Sequence, residues 1–224
     1  MRLRMSLLAL VLLVLAACGG DESKEPLTLS ERVVAEADAP GSKPDPVEKG
    51  QQTADFDEFI DALSELAIDP NMEEMREVFR EAGFQAAVAD TRYYGETHIG
   101  AASHIFSSTI QLESEEGAAR ALDWLHADSL KPCPETCAVR ITEFDVEGIP
   151  DARGVRRSQS AEDIEAGGRE DDVPFDSYEV LFTDGPFVYT VDVHGPPGSV
   201  TDEQLQEIAS ALRSRVEGAP PPEG

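Results

Sequence analysis

From residue 56 the apolar positions recur at helical spacing, then at the two-residue spacing of strands, and the two periods exchange until the chain ends. Phe56, Phe59, Ile60, Leu63 and Leu66 share one helical face, and Asp55 with Glu58 has the form of a capping box. Asp69-Pro70 predicts a second helix, with aspartate as cap, proline in the first turn, and Met72, Met75, Val78 and Phe79 buried. Gly83 suits the left-handed residue that ends a helix, with Phe84 folding back on the last turn. A strand is expected over 86–94 and another over 104–112, where Phe106, Ser108, Ile110 and Leu112 share one face. Ser114-Glu-Glu-Gly opens a third helix, whose stripe is Ala118, Ala121, Leu122 and Leu125 with Trp124 at its edge. Further strands are expected over 139–146 and 154–158, separated by a turn at Gly148-Ile149-Pro150. The clearest hairpin follows: Tyr178, Val180 and Phe182 alternate into Thr183-Asp184-Gly185, and Phe187, Tyr189, Val191 and Val193 alternate out. A last helix starts at Ser199 or Thr201, buries Leu205, Ile208, Ala209, Leu212 and Val216, and carries Arg213 and Arg215 in its final turn.

Helices that flank hairpin-connected strands predict one α+β domain around a largely antiparallel sheet, spanning residues 55–217. Ahead of it, residues 18–54 read as an acidic, polar tether. Val33, Val34, Ala35 and Ala37 allow one edge strand within 31–38, and three prolines and a glycine break the chain over 39–46. Residues 161–172 hold six acids and two glycines and read as a solvated loop, and 218–224 as a disordered proline-rich tail.

Charge narrows the range of partners. The chain carries 18 basic and 45 acidic residues, a net charge of -27, which disfavours nucleic acid and anionic lipid headgroups. Basic patches interleaved with aromatics are missing as well, so no nucleic-acid partner is expected. At the N-terminus, Arg2 and Arg4 precede an uncharged apolar run over 7–17, too short to span a hydrocarbon core and right for a secretory signal. The run ends in Leu15-Ala16-Ala17-Cys18. This pattern resembles the lipobox of bacterial secreted lipoproteins. The resemblance implies removal of 1–17 as signal peptide, lipidation of Cys18 (palmitate among its acyl chains), and an extracytoplasmic protein whose partner is the cell membrane.

In such an oxidising compartment Cys133 and Cys137 predict a structural disulfide. Their C-x3-C spacing is not that of a thioredoxin-like site, and no histidine lies near enough in sequence to make a zinc site. The chain-entropy model gives about 2 kcal/mol for so small a ring.

No catalytic signature is present. The chain has no H-E-x-x-H, no G-x-S-x-G, no S-x-x-K and no P-loop, and 161–172 lacks the order of a calcium loop. No cofactor or metal is implied, and no catalytic residue is assigned. The histidines are His98, His104, His126 and His194; His104 and His194 each sit on a strand where they can be neighbours. Tyr93 and Tyr94, ahead of a glycine-bounded loop, read with His104 and His194 as a candidate ligand groove. Gly148-Ile149-Pro150-Asp151-Ala152-Arg153-Gly154, the aromatic hairpin at Gly185 and the closing amphipathic helix resemble uncharacterised extracytoplasmic lipoprotein domains, and loosely the Mog1p/PsbP-like domains. That resemblance implies an antiparallel sheet flanked by helices over about 55–217 and supplies no catalytic residues. The resulting expectation is a lipid-anchored envelope module that binds a small ligand or another envelope protein. Its alternative is an envelope hydrolase or metal-dependent enzyme using His104, His194 and nearby carboxylates.

Overall fold

In the computed structural model, which describes residues 24–45, 51–66, 71–95, 103–132, 139–167 and 173–220, the alternating segments pair into one antiparallel sheet of eight strands. The strands are β1 (Lys43–Pro44), β2 (Gln51–Thr53), β3 (Phe84–Tyr94), β4 (Ser103–Leu112), β5 (Arg140–Phe144), β6 (Arg153–Gln159), β7 (Phe175–Asp184) and β8 (Phe187–Gly195). They run in the order β1-β3-β4-β8-β7-β6-β5, with β2 also paired to β3. The helices are α1 (Phe56–Leu66), α2 (Met72–Glu81), α3 (Glu115–Ser129), α4 (Ala161–Gly167) and α5 (Asp202–Val216). The chain is therefore a single α+β domain. No described helix is long and apolar enough to cross a membrane.

Side-chain alternation divides the sheet into two faces. On the first, Ile105, Val180, Phe182, Tyr189, Val191 and Val193 pack against Leu205, Ile208 and Leu212 of α5. On the second, Ala87, Ile110, Leu112, Leu181 and Val188 pack beneath α1, α2 and α3, through Phe59, Met75, Phe79 and Trp124. Local signals explain the helix starts. Asn71, Ser114 and Thr201 each accept a hydrogen bond from a backbone N–H of the first turn. Gly83 ends its helical turn at φ +75°, and Phe84 then stacks on Phe59 with ring centroids 4.3 Å apart. The β7–β8 turn is Gly185-Pro186, with Gly185 at φ +55°. Proline cannot take positive φ, so of the two tight hairpin turns only type II′ fits.

Four expectations change. The residues read as an edge strand over 31–38 form a 3-10 turn (Leu29–Glu31) followed by further turns. This stretch belongs to the first face of the sheet rather than to a free tether, since Val34 is 1% exposed and Ala39 fully buried. It is bound by α5: Arg215 Nη2 donates to Val33 O (2.7 Å) and pairs with Asp38 (2.5 Å). The reading of 161–172 as solvated loop gives way, in its first half, to α4. Ser160 caps that helix reciprocally with Asp163, and the Ser160 bonds hold the Asp163 carboxyl at about 2. The cap was missed because six acids dominate the composition. Trp124, expected at the edge of its stripe, is buried edge-to-face on Phe79 (5.6 Å). Finally, the second helix starts at Met72 with Asn71 as its cap rather than at the expected Asp69-Pro70. Leu15 to Cys18, His98, residues 69–70 and the Cys133–Cys137 loop lie outside the described residues.

Candidate functional site

The second face of the sheet changes character along the strands. Toward the Leu112 end of β4 its residues are apolar and covered by helices; toward the His104 end they are polar. Strand register sets the polar residues out in rows. Tyr93 lies opposite His104, His104 opposite His194, His194 opposite Ser177, and Ser177 opposite Arg157. Two residues further along, Thr91 faces Phe106, Phe106 faces Asp192, and Asp192 faces Glu179. A third row holds Ser108, Thr190 and Leu181. Each row belongs to one face because side chains alternate strictly along a strand.

Apart from Tyr93, Ser177 and Leu181, which do not line it, the residues of these rows form the floor of a cleft of about 480 Å3. Leu125, Asp128 and Ser129 at the end of α3 close one side, and Leu63 of α1 the other. A narrower, more apolar limb of about 130 Å3 lies between α1 and β2–β3, lined by Phe59, Ala62, Ala87 and Ala89 together with Gln51, Gln52, Thr53 and Glu58. The two spaces share Leu63, Phe106, Ser108 and Ile110, so they adjoin, the larger with mostly polar lining residues and the smaller with mostly apolar ones.

Three carboxylates stand in the polar end, and their partners differ. Asp128 pairs with Lys131 (2.7 Å). Glu179 pairs with Arg157 (3.1 Å), whose guanidinium also donates to Ser129 O (3.2 Å). Asp192 accepts only the Ser177 hydroxyl (2.5 Å) and has no ion pair among the described residues. Loss of water around the Asp192 carboxyl, reinforced by the Glu179 charge, pushes it up to about 7. The Ser177 hydroxyl and the Arg157 charge oppose the shift. Part of the residue faces the cleft, and water there tempers the effect without changing its direction. Partial loss of water, and then the neighbouring His104, lower the basicity of His194, although much of its surface stays exposed; its ring lies against Phe175 at 5.0 Å.

Of the groove residues expected from the sequence, the fold brings Tyr93, His104 and His194 into one row. Tyr94 falls on the opposite face, packed against the first core cluster, because neighbouring strand residues point to opposite sides. His126 sits apart on α3, 3.2 Å from Glu143. Asp192, Glu179, Ser177, Arg157 and Phe106 carry most of the site and were not singled out. The available signal was the run Val191-Asp192-Val193-His194, whose polar alternates read as an ordinary solvent face. In the fold that face is flanked by α1 and α3.

The arrangement also limits the chemistry. Ser177 Oγ is bonded to Asp192 rather than to either histidine, so no histidine is set to take its proton. Among the described residues no three His, Cys, Asp or Glu side chains stand together as a metal site.

No protein-family model matches the chain, and no curated protein is significantly similar to it in sequence. Two solved structures resemble it in outline. One is the extracellular domain of PknH from Mycobacterium tuberculosis, with 13% identity, 85% of this chain and 92% of that chain covered, and a TM-score of 0.47. The other is an uncharacterized protein (Rv0999 ortholog) from Mycobacterium smegmatis, with 12% identity, 80% and 90% coverage, and a TM-score of 0.39. Likeness at this level bears on neither ligand nor activity.

Proposed function

We propose that the protein is a lipid-anchored, extracytoplasmic binding domain that takes a small ligand into the cleft between α1 and α3. One observation carries this reading: polar and charged side chains from five adjacent strands converge on a cleft of about 480 Å3 that adjoins a more apolar limb. A concave, largely apolar space with a few converging polar groups is the usual form of a ligand site. The alternative, a hydrolase built on His104, His194 and nearby carboxylates, draws on the nearness of the two histidines. The bond from Ser177 to Asp192 favours binding over nucleophilic catalysis.

The anchor follows from Leu15-Ala16-Ala17-Cys18. Two or more acyl chains hold a protein stably at a bilayer, at about 0.8 kcal/mol per buried methylene. Cys18→Ser is expected to move the protein from the membrane to the soluble fraction on cell fractionation; retention in the membrane would sink the anchoring reading. For the cleft, amide chemical shifts of the soluble variant are recorded against a set of small amines, acids and alcohols. Perturbations clustered on Phe106, Thr190 and Asp192 support binding. Shifts scattered over the surface, or none, would remove it.

A further inference from the structure

We infer that the ligand carries an alkylammonium group, its cationic head beside Asp192 and its apolar stem lying over Phe106 toward Leu63 and the apolar limb. The inference rests on the binding reading above and adds the chemical class. It starts from the count of charges in the polar end. Asp128 has Lys131 and Glu179 has Arg157, so two of the three carboxylates are already neutralised by the protein. Asp192 has a hydroxyl and, among the described residues, no ion pair of its own; the Arg157 charge reaches it, but that guanidinium is paired with Glu179. A ligand ammonium supplies the counter-charge that the fold leaves out, in a site where surrounding protein strengthens the attraction. An anionic ligand would meet Asp192 and Glu179 side by side, and the Nη2 of Arg157 is already bonded to Glu179 and Ser129, which leaves its buried Nε without a partner among the described residues.

The walls suit an ammonium with a carbon stem. Phe106 lies directly across the strand pair from Asp192, and an aromatic face attracts a cation beside it. The next positions on that face along β4 are Ser108 and Ile110, both shared with the apolar limb, and Leu63 stands over them. Successive rows are about 7 Å apart, so a stem of a few methylenes runs from the carboxylate into apolar surroundings while the head stays among the polar rows.

Binding should also be linked to a proton. Asp192 is partly protonated near neutrality and must ionise to hold a cation, so binding releases a proton and tightens as pH rises. The charged and titratable groups around it are Glu179 on β7, Arg157 on β6, His104 on β4, His194 on its own strand and Asp128 on α3. Histidines gain positive charge in acid, which acts in the same direction, so the Asp192 share is isolated by substitution.

The test uses the mature chain with Cys18→Ser and three probes of equal length: hexylammonium, hexanoate and hexanol. Dissociation constants come from amide shifts and from calorimetry in two buffers of different ionisation enthalpy. Hexylammonium is expected to bind at least tenfold more tightly than the other two, with proton release at pH 6.5. Asp192→Asn should weaken it at least tenfold and leave hexanol unchanged. Phe106→Ser, which keeps the carboxylate, should weaken hexylammonium and hexanol alike. Hexanoate or hexanol binding as tightly as the amine would overturn the inference while leaving a binding cleft in place, as would an amine held equally well by Asp192→Asn. If none of the three perturbs the cleft residues, the binding reading fails with it.

Discussion

At the scale of single residues, Asp192 shows how a position that looks like any other acid in an acidic chain becomes distinctive through its neighbours. Its carboxyl is pushed up to about 7 by burial and by Glu179, so the fold prefers it protonated. Below about pH 4 it is protonated in both folded and unfolded chains. Between there and about 7 the unfolded chain releases the proton and the folded one retains it, so its contribution to stability is lost as pH rises through that window. Asp192→Asn removes the loss. In urea denaturation the variant should match the parent near pH 4 and exceed it by about 2 kcal/mol at pH 8, a figure reduced for water in the cleft. An equal difference at both pH values would show that the carboxyl titrates normally.

At the scale of elements, the second face depends on how closely α3 approaches α2. A Cβ added at Gly117 would lie 2.2 Å from the Ala82 carbonyl oxygen, which is backbone and cannot swing aside. In a solvent-facing helix, replacing glycine with alanine gains about 1 kcal/mol. Here overpacking reverses the sign, and Gly117→Ala should destabilise by about 2 kcal/mol. Thermal unfolding measures it, and a rise in Tm would show that the helices part without cost. Because Leu125, Asp128 and Ser129 on the same helix wall the cleft, the variant should also loosen ligand binding.

At the scale of the whole molecule, the two ends of the domain are tied together on the face opposite the cleft. Arg32 is fully buried and has no acid partner among the described residues. Its guanidinium donates to Tyr189 Oη (2.9 Å) and to the carbonyls of Ala219 (2.6 Å) and Pro220 (3.0 Å), and it lies 3.9 Å over the Phe187 ring. Burial lifts the Tyr189 phenol to about 12 despite that cation, so the phenol remains neutral as the guanidinium's acceptor. Pro220 O also accepts from the Leu27 N–H (3.1 Å), which closes the ends on each other. Arg32→Ala takes this donor from Tyr189 Oη and Ala219 O and leaves a cavity where the side chain was, while Pro220 O keeps the Leu27 N–H. A loss of about 3 kcal/mol is expected. Hydrogen exchange at Leu27 should quicken more than at Val191 in the central strand. Uniform acceleration would mean that the clamp acts only through global stability. The segment over 27–45 is thus packed on one face of the sheet, leaving the other face to the cleft.

Much of this was readable along the chain because local physics acts within a few residues. Caps at Ser114 and Thr201, the Gly83 stop, the Gly185 hairpin and the apolar stripes of α1, α3 and α5 are each short-range patterns, and together they dictate an antiparallel α+β domain. The lipobox resemblance at Cys18 is likewise local, and anchoring by it is a proposal that the sequence alone supports. Tertiary structure decided what no local pattern contains. Strand register put His104 opposite His194 and Phe106 opposite Asp192, residues some 90 positions apart in the chain. The placement of α1 and α3 turned an ordinary polar alternation into the floor of a cleft. Long-range pairing also drew residues 27–45 onto the sheet through Arg32 and Arg215, although their composition is that of a tether. The physical reason is the same in each case. A side chain's chemistry is written in the sequence, but its dehydration and its partners are set by segments distant in the chain, and those two quantities make Asp192 unlike the other acids.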